Sequence, residues 1–333
     1  MRGFAWACVA WAVAAGGATA GGYHAPKDAW GRPDLNGAWS NNSLTQLERD
    51  SDAFKTLGLS EAEARAYEAK HLGKPPEIPD DKVGAAASEF WETNVGLARI
   101  RGVARSSWIT SPADGQVPYS AAAKAAGKAR RELRKTRADD PEARPLAERC
   151  LEPGAAGPPL QNGGYNDNFQ IVQTRDSLAI WVEWDHDVRV VRLTPGAKHP
   201  PAQIRRWFGD SIGHWQGQTL VVETTNFTPR EVDAPGGDAA ADMTVVERFT
   251  RTGPKEIFYE FAVTAPATYV QTWRGEMLLR PAAGRLYEYA CHEGNYALPG
   301  ILTAARAGFA PGEPTPPKAE AQKPPPAPAQ AAK

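Results

Sequence analysis

Cysteine is scarce in this chain: three in 333 residues. One of them, Cys8, lies in an apolar leader, so a single disulfide is the most the remainder can form. An excess of either charge is also lacking, with 38 Lys+Arg against 39 Asp+Glu. That balance argues against a broad basic surface, so no nucleic-acid partner is expected. No internal run reaches the ~18–20 apolar residues that a membrane-spanning helix needs, so no transmembrane span is expected. What is present is a chain 42% hydrophobic and 9% aromatic, enough to bury a core.

The two ends differ from the middle. Residues 1–20 carry one positive charge, Arg2, then an apolar stretch from Phe4 to Ala15, then Ala18-Thr19-Ala20. This is the order of a secretory signal peptide, with cleavage expected after Ala20 and a periplasmic or secreted product. From Pro311 to Lys333 stand eight of the 29 prolines, among Ala, Lys, Glu and Gln. Such a segment cannot bury enough surface to offset ordering entropy and is expected to be a disordered tail. The mature chain keeps two cysteines, Cys150 and Cys291. Two free thiols are possible, but export favours a disulfide between them.

Residues 21–148 read as a mixed helical and irregular section that packs on a β-domain. Within it, residues 34–40 suggest a turn entering a short strand, and 108–110 another strand. Ser60 and Glu63 form a capping box for a helix to about Leu72, with Gly73 at its C-terminal cap. Ser120 caps a second helix, from Ala121 to about Arg137. Its side chains include seven cations, Lys124, Lys128, Arg130, Arg131, Arg134, Lys135 and Arg137, against Glu132 alone. A basic helix suits an anionic surface, although a solvated charged face is the commoner explanation.

Residues 149–310 read as an antiparallel β-domain. Period-2 patterning marks strands at 169–174, 178–184, 188–193, 219–225, 244–250, 257–263, 268–279 and 286–290. Short turns between most of them imply antiparallel neighbours. The expected fold class is mainly β: a meander barrel of lipocalin-like form, which removes exposed edges, with a two-sheet sandwich as the alternative.

Four stretches carry a resemblance: 209–227, GDSIGHWQGQTLVVETTNF; Glu148-Arg149-Cys150; His186-Asp187-Val188-Arg189 with His199-Pro200-Pro201; and 287–296, YEYACHEGNY. Over about residues 30–305 the chain resembles a large, uncharacterised family of exported bacterial proteins. The resemblance implies export and a β-rich domain, and no particular reaction.

Several residues have chemistry to offer. Gly209-Asp210-Ser211-Ile212-Gly213 matches the G-x-S-x-G elbow of serine hydrolases, but that elbow needs a helix after the serine, and here a turn into a strand follows. Ser211 is therefore not expected to be a nucleophile. His292-Glu293 begins like a zinc motif, but Tyr296 stands where the second histidine belongs. Nothing in the spacing of His186, His199, His214 and His292 requires convergence, so no metal or other cofactor is expected. Glu223, Glu247, Glu260 and Glu288 sit among large apolar residues. Each either faces water in a cross-strand pair or turns inward onto an arginine such as Arg189, Arg192, Arg248 or Arg274. The 185–187 turn places His186 between two aspartates at a barrel rim.

The resulting expectation is a small-molecule site built from the 181–189 hairpin and the 288–293 segment. Its ligand-binding residues would be Trp181, Trp184, His186, Arg189, Glu260, Glu288 and Glu293. Catalytic candidates, if it is an enzyme, are His186, Glu288, His292 and Arg189. The favoured reading is a barrel around a small, largely apolar ligand. A hydrolase or isomerase using a histidine with a strand carboxylate is the second reading, and an envelope structural protein the third.

Overall fold

The computed structural model describes residues 23–72, 95–151, 157–162, 166–229 and 240–309. The expected leader (1–20), Gly73 and the proline-rich tail lie outside these residues. In chain order the elements are β1 (Gly37–Ser40), β2 (Gly58–Leu59), α1 (Glu61–His71), β3 (Arg99–Ile100), β4 (Val103–Arg105), β5 (Ile109–Ser111) and α2 (Ala121–Thr136). There follow β6 (Asn168–Gln173), β7 (Ser177–Val182), β8 (Val188–Arg192), β9 (Asp210–Gln216), β10 (Thr219–Thr225), β11 (Thr244–Gly253), β12 (Glu256–Thr264) and β13 (Trp273–Pro281). The last elements are α3 (Cys291–Gly294) and α4 (Ala297–Arg306).

Strands β6 to β13 run in sequence order around one sheet, and β1 bridges its two edges by pairing with both β6 and β13. The sheet therefore closes into a nine-stranded barrel, and the sandwich alternative is excluded. Closure leaves no long free edge. The closing strand comes from the section before residue 148, and β5 from the same section pairs with the start of β13.

Three strand expectations need correction. The barrel is mixed, because β8 and β9 pair in parallel, Val191 opposite Ser211 and Arg192 opposite Ile212. A parallel neighbour requires a long crossover, and the 193–209 segment provides one. Residues 210–216 form a full strand, although Asp, Ser and Gly are poor strand formers. Residues 286–290 form no strand; they lie irregularly across the barrel end.

Alternation fills the barrel. Phe169, Ile171, Leu178, Ile180, Val182, Val191, Leu220, Val222, Val245, Phe249, Ile257, Tyr259, Phe261, Val263, Trp273, Met277 and Leu279 are all buried in one core cluster. Packing is close: a Cβ on Gly275 would collide with the Phe261 ring. A smaller cluster of Phe54, Leu59, Ala64, Leu97 and Ala104 seats α1 outside the barrel. The Ser60–Glu63 capping box is formed, satisfying amides at the start of α1. Cys150 and Cys291 are joined, 141 residues apart in sequence. In the chain-entropy view a loop of that size contributes at most about 5 kcal/mol. Among the described residues no helix is long and apolar enough to cross a membrane.

Candidate functional site

Two groups of ionisable side chains dominate the β-domain, one inside the barrel and one on its wall. Inside, Arg189 on β8 reaches across to Glu247 on β11 in a bidentate pair, Nη1 to Oε2 at 2.6 Å and Nη2 to Oε1 at 3.0 Å. The two side chains are 2% and 0% exposed. Tyr259 Oη donates to Glu247 Oε1 at 2.8 Å and accepts from the Leu160 amide at 3.0 Å. Burial holds the Tyr259 hydroxyl well above the usual range of a phenol. A carboxylate placed among apolar neighbours must find such donors, because an unpaired one is costly. Arg189, expected in a ligand site, is thus committed to a structural pair.

On the wall, Asp210 organises the crossover. Its Oδ2 accepts from Arg192 Nη2 at 2.6 Å and meets His199 Nδ1 at 2.8 Å, while Arg206 lies 3.6 Å from Oδ1. His199 Nε2 faces Glu223 Oε1 at 3.3 Å. The Glu223 carboxylate, then Asp210, raises the His199 pKa against the opposing effect of burial. The same contact lowers that of Glu223. With a carboxylate facing each ring nitrogen, the charged form of His199 is favoured and both nitrogens are engaged.

The glycines of the 209–213 motif serve this seam. Gly209 has φ +66°, and a Cβ there would meet the Thr225 carbonyl oxygen at 2.5 Å. A Cβ on Gly213 would press on Leu193 and Val191 at 2.9 Å, so its absence lets β8 approach β9. Ser211 lies mid-strand and buried, its Oγ 2.8 Å from Thr224 Oγ1. It has neither the strand-to-helix turn nor the exposure of an elbow nucleophile.

Where β8 ends and β9 continues, the wall splits. A cleft of about 690 Å³ opens there. Leu193, Pro195, Ile212 and Trp215 supply apolar walls, and Arg32, Arg175, Asp176, His214 and Glu223 supply charged and polar groups. Glu223 is also the partner of His199, so the charged cluster borders the cleft directly. No spacing rule in the sequence assembles this place. One of the four resemblance-bearing stretches, 209–227, supplies Ile212, Gly213, His214, Trp215 and Glu223 to its lining.

The residues expected to form a site lie elsewhere. The 184–186 turn does meet the 287–291 segment. The Tyr289 amide donates to His186 Nε2 at 2.9 Å, the Tyr287 amide to Glu183 Oε1 at 2.9 Å, and the Trp184 and Tyr289 rings stack at 5.7 Å. His186 is therefore occupied as an acceptor for the backbone. Trp181 is half-buried on the outer face, and Glu288, His292 and Glu293 are exposed. Glu260 also points outward, opposite Arg248 and Glu276, and burial raises its pKa. Among the described residues no group of three or more His, Cys, Asp or Glu is placed to hold a metal. No family model, curated protein or solved structure matches this chain.

Proposed function

We propose that this is an exported protein that binds a small, largely apolar molecule, and that the ligand lies in the wall cleft between β8 and β9. The observation that carries the reading is the cleft itself. Its volume falls in the range of about 300–1,000 Å³ typical of ligand sites. Its lining sets the apolar Leu193, Pro195, Ile212 and Trp215 beside the charged Arg32, Arg175, Asp176 and Glu223. The barrel axis, where a lipocalin-like ligand would sit, is filled by the core side chains. Export rests on the leader pattern in residues 1–20, and the Cys150–Cys291 bond is compatible with it. Binding is favoured over catalysis because both ring nitrogens of His199 are engaged by carboxylates, which leaves neither free to face a substrate.

The test uses the neutral apolar fluorophore N-phenyl-1-naphthylamine with mature protein. Wild type should enhance its emission saturably. Ile212→Trp, which fills the cleft from its outward side, should weaken that binding at least tenfold with an unchanged melting temperature. Equal binding by the folded variant, or none by wild type, would sink the proposal.

A further inference from the structure

A different part of the molecule, independent of the cleft, presents charge in a way the barrel does not explain. Residues 121–137 hold seven basic residues against one acidic, a local charge of +6. The whole chain carries −1, so all remaining residues together carry −7. The segment thus carries a local excess of positive charge, with Arg137, just past α2, paired to Asp139 and Asp140.

The helix is displayed rather than packed. It has no buried residue over its described positions; Ala123, Gly127 and Arg130 are half-buried and form its inner side. Lys124, Lys128 and Arg131, spaced i, i+4, i+7, lie along one exposed flank. None of the three has an ion-pair partner among the described residues. Ala122, Ala125, Ala126 and Ala129 are exposed on the other flank, followed by Leu133 at 45%.

The helix is nevertheless firmly rooted. Ser120 Oγ accepts from the Ala123 amide, the Ser120 amide donates to the Thr268 carbonyl, and the Tyr119 and Tyr269 rings meet at 5.4 Å. These contacts fix the start of α2 to the β12–β13 loop at one barrel end. Val270, in that loop, is 70% exposed. Tyr287, held by Glu183 beyond the end of β7, is 75% exposed at the same end.

We propose that α2 docks this end of the barrel onto an anionic lipid bilayer. A rooted, amphipathic, cation-rich helix lies in the headgroup region, its cations drawn to acidic lipids and its small apolar flank turned to the interface. An alanine flank inserts weakly, so the attraction is chiefly electrostatic and salt-sensitive. The exposed Val270 beside the helix start, and Tyr287 at the same barrel end, suit the boundary layer better than they suit a soluble polyanion.

The experiment is co-sedimentation of the full mature chain with vesicles. One set is phosphatidylcholine alone, the other phosphatidylcholine with phosphatidylglycerol in a two-to-one ratio. Wild type should sediment with the second set only and be released by high salt. Each cation removed should weaken partitioning about fivefold, so Lys124→Gln/Lys128→Gln/Arg131→Gln should lose about a hundredfold. These side chains are exposed, so the melting temperature should not change, and Glu61→Gln/Arg65→Gln on α1 serves as a surface-charge control that leaves binding intact. Three results would overturn the proposal: equal binding to neutral vesicles, undiminished binding by the triple variant, or capture by heparin without any binding to vesicles.

Discussion

The barrel holds two carboxylate–cation clusters that differ in one respect, their contact with water. Glu247 is fully enclosed, and its partners Arg189 and Tyr259 are enclosed with it. Glu223 is about half exposed and shares His199 with buried Asp210. In the dry cluster both Arg189 Nη atoms and the Tyr259 hydroxyl are committed to Glu247, and the enclosed Arg189 Nε has no partner among the described residues, so the cluster serves to hold the fold together. In the wet one an open cleft lies beside a carboxylate whose single histidine contact is long, so a ligand can compete for it. Burial, rather than residue type, separates the enclosed cluster from the one we propose as functional.

The comparison breaks most visibly if the inner pair is cut. Arg189→Met should lower unfolding free energy by about 3–5 kcal/mol, because it strands a buried carboxylate. Urea denaturation measures this. A double change, Arg189→Met with Glu247→Leu, should recover much of the loss. If the single change costs under about 1 kcal/mol, water reaches Glu247 and the contrast fails.

Tyr259→Phe should cost less, about 1–3 kcal/mol, since it leaves the Leu160 amide without its partner and removes one of the two donors to Glu247 Oε1. Thermal unfolding should show the drop, with ligand-fluorophore binding unchanged in the folded protein. Impaired binding would tie the interior to function and blur the distinction drawn here.

The outer cluster should respond weakly to mutation and visibly to pH. His199→Asn should cost under about 1 kcal/mol, as expected for a partly solvated pair. The sign of its pH dependence follows from the two shifts. His199 is raised from 6.5, so its contribution is complete below that value and is lost as pH rises through the raised one. Glu223 is lowered from 4.5, so its contribution is complete above that value and is lost as pH falls through the lowered one. Stability from this cluster should therefore be greatest between about pH 4.5 and 6.5 and decline on both sides. Subtracting the His199→Asn profile from wild type isolates the term; a flat difference would mean that the contact does not form in solution.

The barrel was legible because β6, β7 and β11 combine β-branched and aromatic residues with alternation, and β10 and β12 are short apolar runs rich in the same residues. Strand β9 was not, because its Asp210, Ser211 and Gly213 answer to a tertiary demand, the close approach of β8, that local propensity does not carry. The parallel β8–β9 pair was hidden for the same reason: a crossover reads like any long loop. Glu247 shows the limit for inward carboxylates. Its sequence surroundings resemble those of Glu260, and only the register across four strands decides that one meets Arg189 inside while the other faces Arg248 outside. His199 carried no local signal, since its partners come from residues 11 and 24 positions later.

The central claim is that the ligand lies in the wall cleft and not along the barrel axis. Energy transfer from tryptophan to bound N-phenyl-1-naphthylamine tests it most directly, because Trp215 lines the cleft while Trp273 is buried within the barrel. The account predicts that Trp215→Phe removes most of the transfer while the fluorophore still binds, and that Trp273→Phe leaves the transfer largely intact. Transfer that survives Trp215→Phe and disappears in folded Trp273→Phe would place the ligand inside the barrel and contradict the account.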